Sequence, residues 1–224
     1  MAFPSVRSSS AEPNVVGSGG VSWTMPASIT AGDLLVACFY RNVSSGTFTG
    51  PSGWTAGAAN PFENLGYVYF KVAAGSDTCS VSNSTTVGVA GVIMSVQDWA
   101  GTIATDVDIA SGTDQGNPPY VLSGWATDDN LYIEAVGAAG GTLPSVSAWT
   151  ASFTEAAKAT GDYGTDVFAG AAWLKQTVNE LDPGTLTVTG SPAAGSSWTI
   201  VIKPGPYPLT DEVNRTNIIF VAAN

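Results

Sequence analysis

Asp106-Val107-Asp108 puts two carboxylates on one side of an extended segment, and Asp114 follows six residues later. Calcium is held by several oxygens, which such carboxylates and nearby backbone carbonyls can supply. Without an EF-hand frame the spacing reads as a solvated acidic loop, so no metal and no cofactor is expected. Glu134 is the clearest carboxyl on a strand rather than in a turn. Paired carboxylates hydrolyse glycosides when a cleft holds them at a defined separation. Eighteen acids over 224 residues, however, yield pairs by chance. The chain has no histidine, which removes the commonest general base, metal ligand and pH switch together. It contains no Gly-x-Gly-x-x-Gly before a helix and no phosphate-binding Gly-x-x-x-x-Gly-Lys-Ser/Thr loop. Cys38 and Cys79 sit in alternating, strand-like runs. With no histidine to join them they make no zinc site of the usual type. Buried free thiols are expected, with a disulfide as the alternative. No catalytic residue is assigned, and the expectation is a protein that is not an enzyme.

Aromatic side chains are the other candidate chemistry. Seven Trp (23, 54, 99, 125, 149, 173 and 198) are many for complete burial. Flat aromatic faces stack on sugar rings, so a carbohydrate-binding face is one reading. The other is that most of them fill a wide core or an oligomer interface.

The elements that must position these groups are written nearly twice. Gly32-Asp33-Leu34-Leu35-Val36-Ala37, then Trp54-Thr55, Tyr69-Phe70-Lys71 and Thr78 to Ser82, are echoed by Asp129-Asn130-Leu131-Tyr132-Ile133-Glu134, Trp149-Thr150, Trp173-Leu174-Lys175 and Thr185 to Thr189. The offsets are 131 − 34 = 97, 149 − 54 = 95 and 175 − 71 = 104. Such a period is too long for a solenoid and predicts one β-rich half repeated, interleaved into a single sandwich. Alternation and turn residues mark strands near 3–10, 21–25, 34–41, 67–72, 78–83, 87–99, 120–122, 131–136, 167–176, 185–189 and 198–203. Residues 100–119 read as a connector, Asp128-Asp129 as a turn, and Glu155-Ala156-Ala157-Lys158 as a short helix. Asp33 should cap local backbone donors, a role Asp129-Asn130 can repeat. Lys71 and Lys175 should each lie over the ring before them. The domain expected is 1–203, with halves about 20–99 and 118–203. Beyond it, Pro204-Gly205-Pro206-Tyr207-Pro208 reads as the start of an extended arm, 204–224. That arm ends in the apolar run Ile218, Ile219, Phe220 and Val221, a sticky segment that needs a cover.

Charged residues are 11% of the chain, roughly half the usual share, and the net charge is −11 with only seven Lys and Arg. Phosphate contacts need clustered cations, so nucleic acid is not an expected partner. An anionic membrane surface is disfavoured on the same ground.

The set Ala31-Gly32-Asp33-Leu34-Leu35-Val36-Ala37, Pro51-Ser52-Gly53-Trp54-Thr55 and Tyr69-Phe70-Lys71-Val72-Ala73 resembles a motif set in virion proteins of tailed bacteriophages, over roughly residues 20–203. The resemblance implies an all-β, jelly-roll-like antiparallel β-sandwich built from two similar halves, in a capsid decoration, fibre or adhesin component. It carries no catalytic residues. The expected role is head decoration (cement), through binding to the major capsid protein or neighbouring copies, as a homo-oligomer with a trimer among its expected forms. A receptor-binding or fibre protein that grips host-surface glycan is the alternative. Met1 to Arg7 contains no apolar export segment, so synthesis in the host cytoplasm and release as part of a virion are expected.

Overall fold

The computed structural model describes residues 3–59, 65–140, 142–150, 152–190 and 192–205, with no side chain described at 58 and 59. The first half of the chain forms β1 (Ser5–Val16), β2 (Val21–Trp23), β3 (Leu34–Arg41), β4 (Phe48–Thr49), β5 (Thr55–Ala59), β6 (Gly66–Val72), β7 (Cys79–Asn83) and β8 (Val87–Gln97). A single helical turn, α1 (Ile103–Asp106), leads into β9 (Val107–Gly112), β10 (Val121–Leu122), β11 (Asp128–Ala139) and β12 (Ser145–Ala148). The chain then forms β13 (Thr154–Gly161), β14 (Val167–Val178), β15 (Glu180–Leu181), β16 (Thr187–Thr189) and β17 (Ala194–Ile202). The fold is all-β, and every paired strand is antiparallel.

Two five-stranded sheets make the sandwich, in the orders β1-β8-β3-β6-β5 and β9-β17-β11-β14-β13. Written this way, each strand of the second sheet stands where its sequence counterpart stands in the first. The halves are therefore not interleaved: each half keeps to its own sheet. A jelly roll, whose strands cross between sheets, is a different wiring from this one. β3 lies over β11, β8 over β14, and the edge strands β1 and β5 lie over β13 and β9.

Alternation explains why the sheets stack. Leu34, Val36, Cys38 and Tyr40 of β3 face Leu131, Ile133 and Ala135 of β11 in one core with Val68, Phe70, Val92, Met94, Trp198 and Ile200. The outward residues are buried as well. Ala37 and Phe39 lie under Trp23, Cys79 and Val81 of the small β2-β7-β4 sheet. Val136 lies under Val146 and Leu186, and Tyr132 under Val121. Small outer sheets thus cover both main sheets. Close approach at the centre needs glycine. Tyr40 and Gly137 occupy equivalent places (137 − 40 = 131 − 34), and a Cβ at Gly137 would overlap the Tyr40 ring. Gly66 makes the same room for Trp198.

Several sequence expectations are corrected. The connector 100–119 contains β9, an edge strand paired with β17 from Val107 to Gly112; its acidic residues masked an alternating Val107-Asp108-Ile109-Ala110. The expected helix at Glu155-Ala156-Ala157-Lys158 is strand β13, paired with β14. Alanine favours a helix only weakly, and tertiary pairing overrides it. Asp128-Asp129 opens β11 rather than making a turn. Register also moves the lysine match: Phe70 and Trp173 lie opposite Val36 and Ile133, so Lys71 corresponds to Leu174, not Lys175. The arm segment 206–224, including Ile218, Ile219, Phe220 and Val221, lies outside the described residues.

Gly137→Ala should lower stability in urea unfolding by about 2 kcal/mol, the scale of overpacking a full core. Adding Tyr40→Ala should make the two losses non-additive, because the ring that clashes is gone. A Gly137→Ala protein as stable as the parent would refute this account of the sheet spacing.

Candidate functional site

The acidic residues of the former connector do not converge. An Asp106 oxygen accepts from the Thr102 N–H at 2.9 Å, and the carboxylate lies 3.8 Å from the Lys203 ammonium. Asp108 accepts from the Gly124 N–H and Asp114 from the Gly116 N–H. Each holds a separate turn. Among the described residues no group of three acidic, Cys or His side chains could share a metal ion.

Glu134 is fully buried on the outer face of β11. The Thr150 hydroxyl donates to its Oε1 at 3.0 Å, and Oε2 has no hydrogen-bond partner among the described residues. Burial, only partly offset by Thr150, pushes its pKa up to about 7. Glu155 shares that face, since both acids lie opposite Ala172. Glu155 is engaged differently: the Trp149 Nε1–H and the Lys158 ammonium both reach its Oε2 at 2.9 Å, and its carboxyl is held below the usual range. Adjacent residues 149 and 150 thus fasten one loop across both carboxyls.

The Trp rings are mostly occupied. Trp23, Trp99 and Trp198 are buried and the other four half-buried. Lys175 lies over Trp173 at 5.7 Å and Lys203 over Trp125 at 5.9 Å. Lys71 instead pairs with Asp77 at 2.8 Å. Trp99 donates to the Gly32 carbonyl, Trp125 to Asn130 and Trp54 to the Thr78 carbonyl. Cys38 and Cys79 are free and buried, and burial pushes each thiol up to about 12.

The two ends of the sandwich differ. At one end Asp33 accepts from Arg7 Nε (2.8 Å), the Ser95 hydroxyl (2.7 Å) and the Thr30 N–H (3.0 Å). Burial alone would raise its pKa; these donors together outweigh burial and hold it below the usual carboxylate range. Its counterpart Asn130 accepts from Trp125 and donates to the Val178 carbonyl at 2.6 Å. Here the described chain ends, with Pro204 bridged to Trp99 and the Gly205 N–H bonded to the Asp98 carbonyl at 2.7 Å.

The opposite end opens. Asn42, the residue after β3, clasps Gly88 through its backbone N–H (2.9 Å) and side-chain oxygen (3.0 Å), and its amide nitrogen reaches the Thr165 carbonyl (3.1 Å) of the other half. Above this clasp lies a cleft of about 450 Å³ rimmed by Val15, Val43 and Tyr163. Val15 is 50% and Val43 37% exposed. Tyr163 seats against Gly88 and Gly161, where any Cβ would meet its ring. A branch of about 200 Å³ continues past Leu65 and Ala139 and shares Asn42, Val43 and Thr165 with it. Among the described residues neither part is lined by a carboxylate, ammonium or guanidinium. A third hollow, about 350 Å³, lies on the β2-β7-β4 sheet and is lined by hydroxyls of Ser18, Thr49, Ser52, Thr78, Ser80 and Ser82. Hydroxyls exchange one partner for another with water at little net gain, so the apolar cleft is the stronger binding feature. Sequence reasoning missed it, because Val15, Asn42 and Tyr163 are ordinary residues until the fold joins them.

No family model, curated protein or solved structure matches this chain.

Glu134 generates a pH prediction with an unusual sign. Its folded pKa lies above the unfolded value, so the folded state holds a proton that the unfolded state has released. Its contribution to stability is therefore complete below about pH 4.5 and is lost as pH rises through about 7. The loss should approach roughly 3 kcal/mol by pH 8. Asp33, Asp77 and Glu155, whose pKa values are lowered, act only at the acid end. Urea midpoints measured from pH 5 to 8 should fall for the parent and stay level for Glu134→Gln. Parallel profiles would show that Glu134 is ionised in the fold.

Proposed function

We propose that this chain is a non-enzymatic structural protein of a tailed-bacteriophage virion, a head decoration protein that binds and stabilises the capsid surface. One observation carries the reading: among the described residues, each of the six cations has a partner within this chain. Arg7 binds Asp33, Lys71 Asp77, Lys158 Glu155 and Lys203 Asp106, while Lys175 covers Trp173. Arg41, 1% exposed, donates to Asn83 at 2.7 Å and to Tyr67 at 3.2 Å. The surface is left acidic, hydroxyl-rich and apolar in places, which suits contact with protein and not with phosphate backbones. No helix among the described residues is long and apolar enough to cross a membrane.

The other support is division of labour. A sandwich covered on both main faces supplies a rigid body. The apolar cleft at one end and the uncharged apolar run at 216–221, beyond a Pro-rich spacer, supply adhesive parts. The partners proposed are the major capsid protein and neighbouring copies. In this reading Ile218, Ile219, Phe220 and Val221 are contact residues, and the chain is made in the host cytoplasm and carried on the virion. Occupied Trp faces leave less support for host-glycan binding.

Purified protein mixed with heads lacking it should co-sediment with them and raise their resistance to heat or chelation. Phe220→Asp should weaken that binding by tenfold or more, because a charge enters an apolar contact. Binding unchanged in Phe220→Asp removes the arm's role. No binding to heads together with glycan-array retention would favour a receptor-binding protein instead.

A further inference from the structure

The repeat makes its own comparison on the outer face of each main sheet. Across the first sheet, Ala37 (β3), Tyr69 (β6) and Ala56 (β5) stand in one row. The matching row of the second sheet is Glu134 (β11), Ala172 (β14) and Glu155 (β13). One half fills the row with a central ring, the other with two flanking acids. The architecture therefore accepts alanine where Glu134 stands, and the carboxyl is an addition to it. The covers differ to match. In the first half Trp54 donates to a backbone carbonyl, that of Thr78. In the second, Trp149 donates to Glu155 and Thr150 to Glu134, so the β12-β16 cover is tied to the acids. Glu134 is 0% exposed, and its Oε2 has no hydrogen-bond partner among the described residues. It lines none of the three hollows, so no ligand reaches it there. A buried carboxyl with a bare oxygen is stable only while protonated, because the anion needs water or donors.

We infer that Glu134 is a proton-operated latch: protonated, it keeps the β12-β16 cover closed, and on losing its proton to water it drives that cover off Val136 and Phe168. The weakest neighbour yields. β11 is paired along twelve residues with β14 and nine with β17. Among the described residues the cover pairs with neither main sheet and meets β11 through side chains, Val146 and Leu186 on Val136 and Thr150 on Glu134. Lifting it admits water to Glu134 and bares an apolar face without parting the main sheets. The titratable groups on the surrounding elements are engaged elsewhere and offer the anion no partner. Glu155 and Lys158 of β13 bind each other at 2.9 Å. Glu180 of β15 accepts from Tyr120, Asp182 from the Gly184 N–H and Asp114 from the Gly116 N–H. On its own strand Tyr132 donates to the Val178 carbonyl. Beside it in the sheet stand Ala172 and Thr199, and neither titrates.

Hydrogen exchange of the intact protein, read residue by residue, tests the latch. With intrinsic rates divided out, protection of the β12 and β16 amides should fall about tenfold from pH 6 to pH 8 and then level off. The sign follows from a folded pKa above that of the solvated carboxyl. Low urea should leave this exchange unchanged, since a local opening exposes little surface, while the amides of β11 and β14 respond to it. Glu134→Gln should flatten the pH response of the cover. Glu134→Ala, which copies the Ala37 place, does the same if the amide variant fails to fold. Binding of an apolar dye to the folded protein should rise over the same range in the parent alone. Cover protection that stays level with pH in the parent, or falls equally in Glu134→Gln, would overturn the inference. So would cover and β11 amides that exchange together at every pH and urea concentration, which would leave Glu134 acting on global stability only.

Discussion

Two central strands, β3 and β11, have to be buried on both faces at once, and the rest of the molecule follows from that requirement. All eight residues of β3 are buried, as are the last ten of β11. Their inner faces cover each other, provided Gly137 gives way to Tyr40. Their outer faces need a second cover, which is why the chain builds β2-β7-β4 on one side and β12-β16 and β10-β15 on the other. A Leu, Ile, Val or Phe side chain taken fully out of water contributes roughly 1.5–3 kcal/mol. Leaving either outer face bare would forfeit several such contributions and expose a large apolar patch.

Double burial also decides what polar groups can do. Asp33, just before β3, and Asn130, in the first residues of β11, occupy matched places and gather donors or acceptors that fasten the chain end of the sandwich. Arg41, at the far end of β3, is buried with Asn83 and Tyr67, and the backbone carbonyls of Ser45 and Gly46 accept from it as well. With so few cations, little is left on the surface for long-range attraction.

Much of this was legible in the chain itself. β3, β6, β8, β11, β14 and β17 appear as alternating or continuous apolar runs, and Asp33 was readable as a cap because a turn precedes it. What escaped were features made by neighbours rather than by local pattern. β9 was hidden by Asp106 and Asp108, whose side chains face turns, and β13 by alanines that pair with β14 instead of coiling. The burial of Glu134 could not be read from its strand, because the cover comes from Thr150 and the outer loops. The repeat was visible, but not that each copy would keep to one sheet: pairing partners are chosen by register, which no offset reveals. The cleft joins residues from β1, β8 and both halves, and none of them is unusual alone.

The two thiols sit at different depths. Cys38 lies between the main sheets, and Cys79 belongs to the outer β2-β7-β4 sheet, on the side that faces the main sheet. Held protonated and shielded, both are inert to alkylating reagents until the chain opens around them. They therefore act as two built-in clocks. The rate at which Cys79 is labelled times the lifting of the outer layer, and the rate for Cys38 times parting of the sandwich, so peeling and global unfolding can be told apart in one sample.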